Sequence, residues 1–156
     1  MNTQTQIIFY KPELALAFKE INIEWLEKYF HVTGADLEIL NNPEKIINSG
    51  GLILFAKVGT NVVGTAALEK VDDEVYELIK MGVRSEMQGK GIGKLLLHSI
   101  LEEARKLNAR KVLLETAAPL TAAIALYKKG GFIRVGEEEK HPKFGRITFK
   151  MLKILR

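Results

Sequence analysis

The sequence predicts a mixed α/β domain whose sheet is antiparallel at first and gains one parallel crossover in the middle. Three apolar runs separated by short turns, at 52–58, 62–71 and 75–83, predict an antiparallel meander. A helical pattern then leads to another buried run at 111–116, and two strands joined through a helix lie parallel in one sheet. The chain has 156 residues, so we expect one domain over 1–156.

The N-terminal part predicts helices that flank this sheet. A short strand is expected at Gln6–Tyr10, followed by a helix that Pro12 opens. Asn22 interrupts the apolar stripe of this helix and predicts a kink or a short break. Asp36 and Asn42 are the expected N-caps of two short helices that follow. The stripe itself consists of Leu14, Phe18, Ile21, Trp25 and Tyr29.

The C-terminal part predicts one more helix and the last two strands. The helix is expected from about Leu120 to Gly130, where two glycines end it. The strands are expected at Phe132–Gly136 and Arg146–Ile154, joined by a charged loop over Glu137–Gly145.

The composition excludes several classes of protein. The chain has no cysteine, which excludes disulfides, Cys-ligated zinc and a thiol nucleophile. His31, His98 and His141 have no mutual spacing typical of a metal site, so we expect no metal. The start of the chain, Met1–Gln6, has no apolar signal-peptide core, and no run approaches the ~20 apolar residues of a membrane span. A cytoplasmic protein with no membrane partner is therefore expected.

The net charge of +4 is modest and favours an anionic ligand rather than nucleic acid. A basic group, Arg105, Lys106, Arg110 and Lys111, offers a nucleic-acid interface as an alternative. These residues are more simply a solvated helix end and strand start, and no aromatic platform or reader helix accompanies them. We therefore expect no nucleic-acid partner.

A glycine-rich turn marks the predicted binding site. Gln88–Gly93 places three glycines at alternate positions directly after the strand at 75–83. Glycine accepts positive φ and allows close approach to the backbone. A helix then begins at about Gly91, and its free N–H groups, with Lys90 and Lys94, favour an anion. A glycine-rich helix start without a ligand explains the spacing equally well.

The turn resembles the acetyl-CoA loop of the GNAT acetyltransferase superfamily. Neither GxxxxGK[ST] nor the dinucleotide spacing G-x-G-x-x-G fits it. It does fit Gln-x-x-Gly-x-Gly after a strand that ends in Met81-Gly82-Val83. A second segment, AAIALYKKGGF at 122–132, is similar to that family's later helix, which ends in Leu-Tyr-x-Lys-x-Gly-Phe. The two motifs occur in the family's order and at about its separation.

The resemblance implies the GNAT fold, in which two parallel strands splay apart and acetyl-CoA enters the gap as cosubstrate. The resemblance implies that the backbone of Met81, Gly82 and Val83 binds the pantetheine arm. It also implies that an N–H near Met81 polarises the acetyl carbonyl. The pyrophosphate is expected on the main chain of the turn, formed by Gln88, Gly89, Lys90, Gly91, Ile92, Gly93 and Lys94.

Acetyl transfer to an amine needs a base, because an alkyl amine is protonated at neutral pH. Glu77 lies six residues before Val83, where some family members place a catalytic glutamate, and burial raises the pKa of such a group. A solvent-facing Glu77 paired with Lys57 and a water chain instead of a direct base are the alternatives. Tyr127 matches the family's general acid, whose hydroxyl points at the CoA sulfur; packing alone is its alternative.

The acceptor site is expected between the first helices and the charged loop. Trp25 and Tyr29 either line a substrate groove or belong to the core. Glu24 and Arg146 are further candidates. Two departures from the family pattern lie elsewhere. The stretch 117–120 lacks an asparagine that often contacts CoA, and Gly130 replaces an apolar residue, which predicts a looser helix end.

The resemblance thus implies an acetyl-CoA-dependent N-acetyltransferase that acts by direct attack on a primary amine of a small molecule, peptide or protein. The alternative is a non-catalytic module of the same fold that binds acyl-CoA. By analogy with the family, a homodimer formed through the last strands is one expectation for the assembly.

Overall fold

A computed structural model describes residues 4–155. Its strands are β1 (Thr5–Phe9), β2 (Leu52–Val58), β3 (Asn61–Lys70), β4 (Val75–Val83), β5 (Lys111–Thr116), β6 (Ile133–Lys140) and β7 (Ile147–Ile154). Its α-helices are α1 (Ala15–Tyr29), α2 (Gly34–Leu40), α3 (Pro43–Asn48), α4 (Ile92–Lys106) and α5 (Thr121–Lys129). Two short 3₁₀ turns span Pro12–Leu14 and Ser85–Met87.

The strands form one mixed sheet in the order β1-β2-β3-β4-β5-β7-β6. β1 to β4 pair antiparallel, as the predicted meander requires, and β4 and β5 pair parallel across the α4 crossover. β7 then inserts between β5 and β6, and both of its pairings are antiparallel. The predicted α/β fold class with its single parallel crossover is confirmed.

Helices cover both faces of the sheet. α4 and α5 pack on one face, around Leu96, Ile100 and Tyr127. α1 to α3 pack on the other face, around Phe18 and Leu26. A sheet covered on both sides buries side chains that point to either face, which is why β2 and β3 read as nearly continuous apolar runs.

Three predictions for the N-terminal helices are wrong in detail. α1 continues through Asn22 without a break, because the Asn22 side chain donates to the Phe18 carbonyl at 2.8 Å. Thr33, not Asp36, is the N-cap of α2, and the two residues form a reciprocal capping box. Asn42 precedes α3 as expected, but its side chain does not cap that helix.

The C-terminal predictions need two corrections. The first four residues of the segment predicted as a charged loop, 137–140, belong to β6, which pairs with β7 beyond a bulge between Val135 and Glu139. The predicted loosening at Gly130 is also wrong. A Cβ there would lie 2.9 Å from Leu97 Cδ2, so glycine allows α5 to approach α4 closely. The polar start of the chain falls partly outside the described residues.

Gly51 is a close-packing point that tests this architecture. A Cβ at this position would meet the carbonyl oxygen of Leu68 and lie 3.0 Å from that of Ile46. We expect Gly51→Ala to lower the free energy of unfolding by about 1–3 kcal/mol, because backbone rather than a flexible side chain must shift. Urea unfolding measures this. Gly34→Ala is the matched control, since nothing lies within 4 Å of its Cβ, and an equal loss in both variants would contradict the packing.

Candidate active site

The centre of the candidate site is a β-bulge in β4. Thr65 of β3 pairs with Gly82, while Ala67 pairs with Ile79, so β4 carries one extra residue here. Lys80 lies in the bulge with a φ of 48°, a left-handed conformation that costs a non-glycine residue roughly 1–2 kcal/mol. A bulge disrupts the ladder and redirects side chains, so this stretch differs from the regular strand before it.

Next to the bulge, β4 and β5 separate. Their parallel pairing ends at Leu78 and Leu114, so the backbone of 79–83 has no strand partner on the β5 side within the described chain. Thr116, the last residue of β5, buries its Oγ1 without a hydrogen-bond partner among residues 4–155. A buried unpaired hydroxyl is unfavourable. The gap therefore suits an extended ligand with amide groups, such as a pantetheine arm.

The glycine turn follows this gap directly. Gly89 and Gly91 have φ values of 77° and 81°, and a Cβ at either would meet nothing within 4 Å. Gly91 is the N-cap of α4, Ile92 begins the helix and is buried, and no side chain caps it. Gln88 Nε2 donates to the carbonyl of Val83 at 3.1 Å, which fixes the turn to β4. The first N–H groups of α4 are thus available to an anion.

Gly93 brings the turn, the bulge and α5 together. A Cβ at Gly93 would lie 3.4 Å from Leu126 Cδ2 and 3.9 Å from Met81 Cε. Lys90 and Lys94 flank the turn and are exposed. The residues predicted for the pantetheine arm and for the pyrophosphate therefore form one continuous surface.

Tyr127 lies on the same face of the sheet, where α5 packs on the core. The residue is 8% exposed and its ring lies 5.9 Å from that of Phe132. Its hydroxyl has no hydrogen-bond partner among the described residues. Burial raises the pKa of Tyr127 to about 12, so the hydroxyl keeps its proton at neutral pH and remains a donor.

Glu77 lies half-buried on the opposite face, beside two other glutamates. Its direct partner on β3 is Glu69, and Lys57 pairs with Val62 instead. The alternative that paired Glu77 with Lys57 is therefore wrong. Glu115, on β5, shares this face, because β5 alternates between buried and half-buried side chains.

This setting raises the pKa of Glu77 to about 7. Burial is the largest cause, and the negative charges of Glu115 and Glu69 add to it, while Lys150 and Lys143 act in the opposite direction. A carboxyl with this pKa holds and releases a proton near neutrality, as a general base must.

The loop between β6 and β7 reaches this acidic group. His141 Nε2 lies 3.0 Å from Glu115 Oε2. The loop closes on itself, since Gly145 N donates to the His141 carbonyl at 2.9 Å and His141 N donates to the Arg146 carbonyl at 2.7 Å. One short turn thus places His141 at Glu115 and starts β7 at Arg146.

A buried ion cluster, formed by Asp36, Lys80 and Arg146, fixes the bulge from the α1–α3 side. Asp36 is fully buried and accepts from Lys80 Nζ at 2.8 Å, from both terminal nitrogens of Arg146 and from Thr33. Burial acts to raise the pKa of Asp36, but hydrogen bonds from Arg146 and Lys80 outweigh it and hold the pKa well below its usual range. Burial also lowers the pKa of Lys80. The cluster joins α2, β4 and the start of β7.

α1 packs on the bulge and on the turn. Trp25 lies against Gly82, where a Cβ would be 2.8 Å from the indole nitrogen. Glu24 Oε1 accepts from the backbone N of Ser85 at 2.6 Å and from its hydroxyl at 2.8 Å. These two residues therefore support β4. Tyr29 is separate from them and is 39% exposed.

Four residues of the site escaped the sequence analysis: Thr116, Lys80, Glu69 and Glu115. Lys80 carried a signal, since a charge within an apolar strand indicates a buried partner. Glu69 and Glu115 gave none, because their approach to Glu77 depends on strand register. Thr116 gave no signal either, because a threonine at the end of a strand is common.

Comparison with known proteins identifies the family. Residues 16–132 match the model of the acetyltransferase (GNAT) family, so the chain belongs to this family and the predicted resemblance is confirmed. N-acetylaspartate synthetase of Danio rerio is 35% identical over 124 residues, which are 79% of this chain and 43% of that protein. The chain thus spans less than half of that relative's length.

Solved structures share the fold. An acetyltransferase of the GNAT family from Staphylococcus aureus Mu50 superposes with a TM-score of 0.86 and 23% identity, over 98% of this chain and 100% of that one. A phosphinothricin acetyltransferase from Sinorhizobium meliloti, solved in complex with acetyl-CoA, has a TM-score of 0.80 and 21% identity, over 97% and 88%. At these identities the likeness concerns the fold.

Two kinds of feature are absent from the part of the chain that the structure describes. Across positions 4–155 no three His, Asp or Glu side chains converge as a metal site requires. None of the helices in the same range has both the length and the apolar character needed to span a bilayer.

The raised pKa of Glu77 makes a prediction about stability. The pKa of Glu77 rises from its ordinary value of 4.5 to about 7 in the folded protein. Between these two pH values the folded state binds more protons than the unfolded state, so the free energy of unfolding falls as the pH rises. Gln stays neutral throughout. We therefore expect Glu77→Gln to gain stability relative to the wild type between pH 5 and pH 8, measured by urea unfolding at each pH. Glu20→Gln, an exposed change on α1, is the control. A constant difference across the window would mean that Glu77 is not shifted.

Proposed function

We propose that the protein is an acetyl-CoA-dependent N-acetyltransferase that transfers an acetyl group to a primary amine by direct attack. One observation carries the proposal: the backbone of 79–83, which precedes the glycine turn, has no strand partner on the β5 side, where β5 ends at the buried, unpartnered hydroxyl of Thr116. An extended cosubstrate with a pyrophosphate at one end and a thioester at the other matches this order of groups. The proposal includes a cytoplasmic location and a homodimer through β6 and β7, which rest on the sequence prediction alone.

The described residues fit acetyl-CoA. The main chain of Gln88, Gly89, Lys90, Gly91, Ile92, Gly93 and Lys94 would hold the pyrophosphate. Met81, Gly82 and Val83 would pair with the pantetheine amides, and Thr116 offers them a hydroxyl where the family asparagine is missing. When bound, acetyl-CoA supplies the acetyl group as an activated thioester.

Glu77 and Tyr127 would then divide the proton transfers. With a pKa of about 7, the Glu77 carboxylate accepts a proton from the acceptor ammonium, which frees the nitrogen lone pair. With a pKa of about 12, the Tyr127 hydroxyl holds a proton that it can donate to the departing sulfur. The backbone N–H near Met81 would stabilise negative charge on the acetyl oxygen.

The glycine turn provides the first test. We expect Gly91→Glu to abolish acetyl-CoA binding in isothermal titration calorimetry, because it places a negative charge in the anion site. Gly59→Glu is the matched control. It adds the same charge at another glycine with positive φ, 63°, in the β2–β3 turn. Both variants should keep the far-UV circular dichroism of the wild type. Equal binding in the two variants would remove the assigned pyrophosphate site.

Tyr127 provides the second test. Tyr127→Phe removes only the hydroxyl, so acetyl-CoA should bind as in the wild type, whereas kcat should fall by about 100-fold, the lower range for a lost general acid. Release of free CoA with a panel of primary amines measures turnover. An unchanged kcat would assign Tyr127 to packing alone.

The alternative is a module that binds acyl-CoA without transfer. It shares the gap and the turn, but it gives no reason for a half-buried Glu77 with two glutamates around it. Binding of acetyl-CoA without any CoA release across the amine panel would favour the module over the enzyme.

A further inference from the structure

A cavity distinct from the gap between β4 and β5 lies between the end of α1 and the β6–β7 loop. Its volume is about 540 Å³. Its wall includes Lys28, Tyr29, His31, Phe144 and Arg146. None of the described side chains that line it is acidic. The charged side chains of the wall are therefore cationic, and aromatic rings make up much of the rest.

The charge behind this wall is unbalanced. Lys80 and Arg146, whose side chains are 7% and 12% exposed, share the single carboxylate of Asp36. Two cations on one anion leave one net positive charge in a largely buried position. Such a charge is unfavourable unless an anion approaches it, and Lys28 adds a further positive charge at the cavity.

The guanidinium of Arg146 also has unused donors. Its terminal nitrogens donate to Asp36 and, at 3.0 Å, to the carbonyl of His31. A guanidinium carries five N–H groups, so two of them have no acceptor among residues 4–155. One of these is the Nε–H, which is buried. A buried donor without an acceptor indicates a missing partner.

The cavity is joined to the reaction centre through the same cluster. Lys80 contacts Asp36 on one side and immediately precedes Met81 in the bulge. The β6–β7 loop connects the two regions a second time, since it carries Arg146 at the cavity and His141 at Glu115. The loop thus links the cationic wall of the cavity to the carboxylates around Glu77, where Lys143 and Lys150 also act on Glu77.

We infer that this cavity binds a carboxylate of the acceptor, with Arg146 and Lys28 as the specificity-determining residues. The inference rests on the proposed function and narrows it to amines that also carry a carboxylate, such as amino acids. The ammonium end lies toward Glu77 and Glu115, and the carboxylate end lies in the cavity.

The test separates binding from turnover. Succinate, which has carboxylates but no amine, is titrated by calorimetry into the protein saturated with CoA, and succinamide is its neutral counterpart. We expect succinate to bind and succinamide to bind at least 10-fold more weakly. Lys28→Gln should weaken succinate binding several-fold, and Lys28→Arg should restore it. Lys11→Gln, an exposed lysine away from the cavity, should leave it unchanged.

Turnover then uses matched acceptors that differ only in the carboxylate, glycine with glycinamide and β-alanine with β-alaninamide. We expect KM to be at least 10-fold lower for the acceptor with the carboxylate than for its amide. Lys28→Gln should reduce that preference, because it raises KM for the carboxylate acceptor while kcat stays nearly constant. Equal binding of succinate and succinamide, or a lower KM for the amide acceptors than for the carboxylate acceptors, would overturn the carboxylate site. Either result would leave the proposed acetyltransferase activity intact. Succinate binding that depends on Lys28, without acetylation of any amine, would retain the site and remove the proposed function.

Discussion

The separation of β4 from β5 depends on the bulge at Lys80, and the bulge depends on one buried carboxylate. Asp36 accepts a hydrogen bond from the ammonium of Lys80. It also accepts from Arg146, which fixes the end of the β6–β7 loop. Removing one partner from a buried ion group costs about 3–5 kcal/mol, so the cluster is strong enough to maintain a residue at positive φ. The unpaired edge of β4 beyond Leu78, which is the central feature of the site, follows from this constraint.

Local signals in the sequence predicted much of the architecture. Alternate glycines at Gly89, Gly91 and Gly93 predicted both a turn of positive φ and the start of α4, because these properties depend on neighbouring residues only. The parallel crossover followed from the rule that two strands joined through a helix lie parallel in one sheet. Helix caps were less predictable: Thr33 and Asp36 are both good capping residues, and only the reciprocal hydrogen bonds decide which of them precedes α2.

The electrostatics of the site could not be predicted in the same way. Asp36 lies 44 residues from Lys80 and 110 from Arg146, and no local pattern links such positions. Glu77 was predicted as a candidate base from its place on the strand, but its neighbours Glu69 and Glu115 follow from a strand register that cannot be read from the sequence. These long-range contacts set the proton affinity at the centre, so the chemistry depends on the fold more than on any motif.

The central claim is that an extended cosubstrate completes the open edge of β4. Amide hydrogen exchange, followed by mass spectrometry with and without acetyl-CoA, tests this most directly. Exchange should slow across 79–83 as well as across the turn at 88–94, whereas ATP, which lacks the pantetheine arm, should protect 88–94 at most. Protection confined to 88–94 with acetyl-CoA, or absent from both segments, would contradict the claim that the gap between β4 and β5 is the binding site.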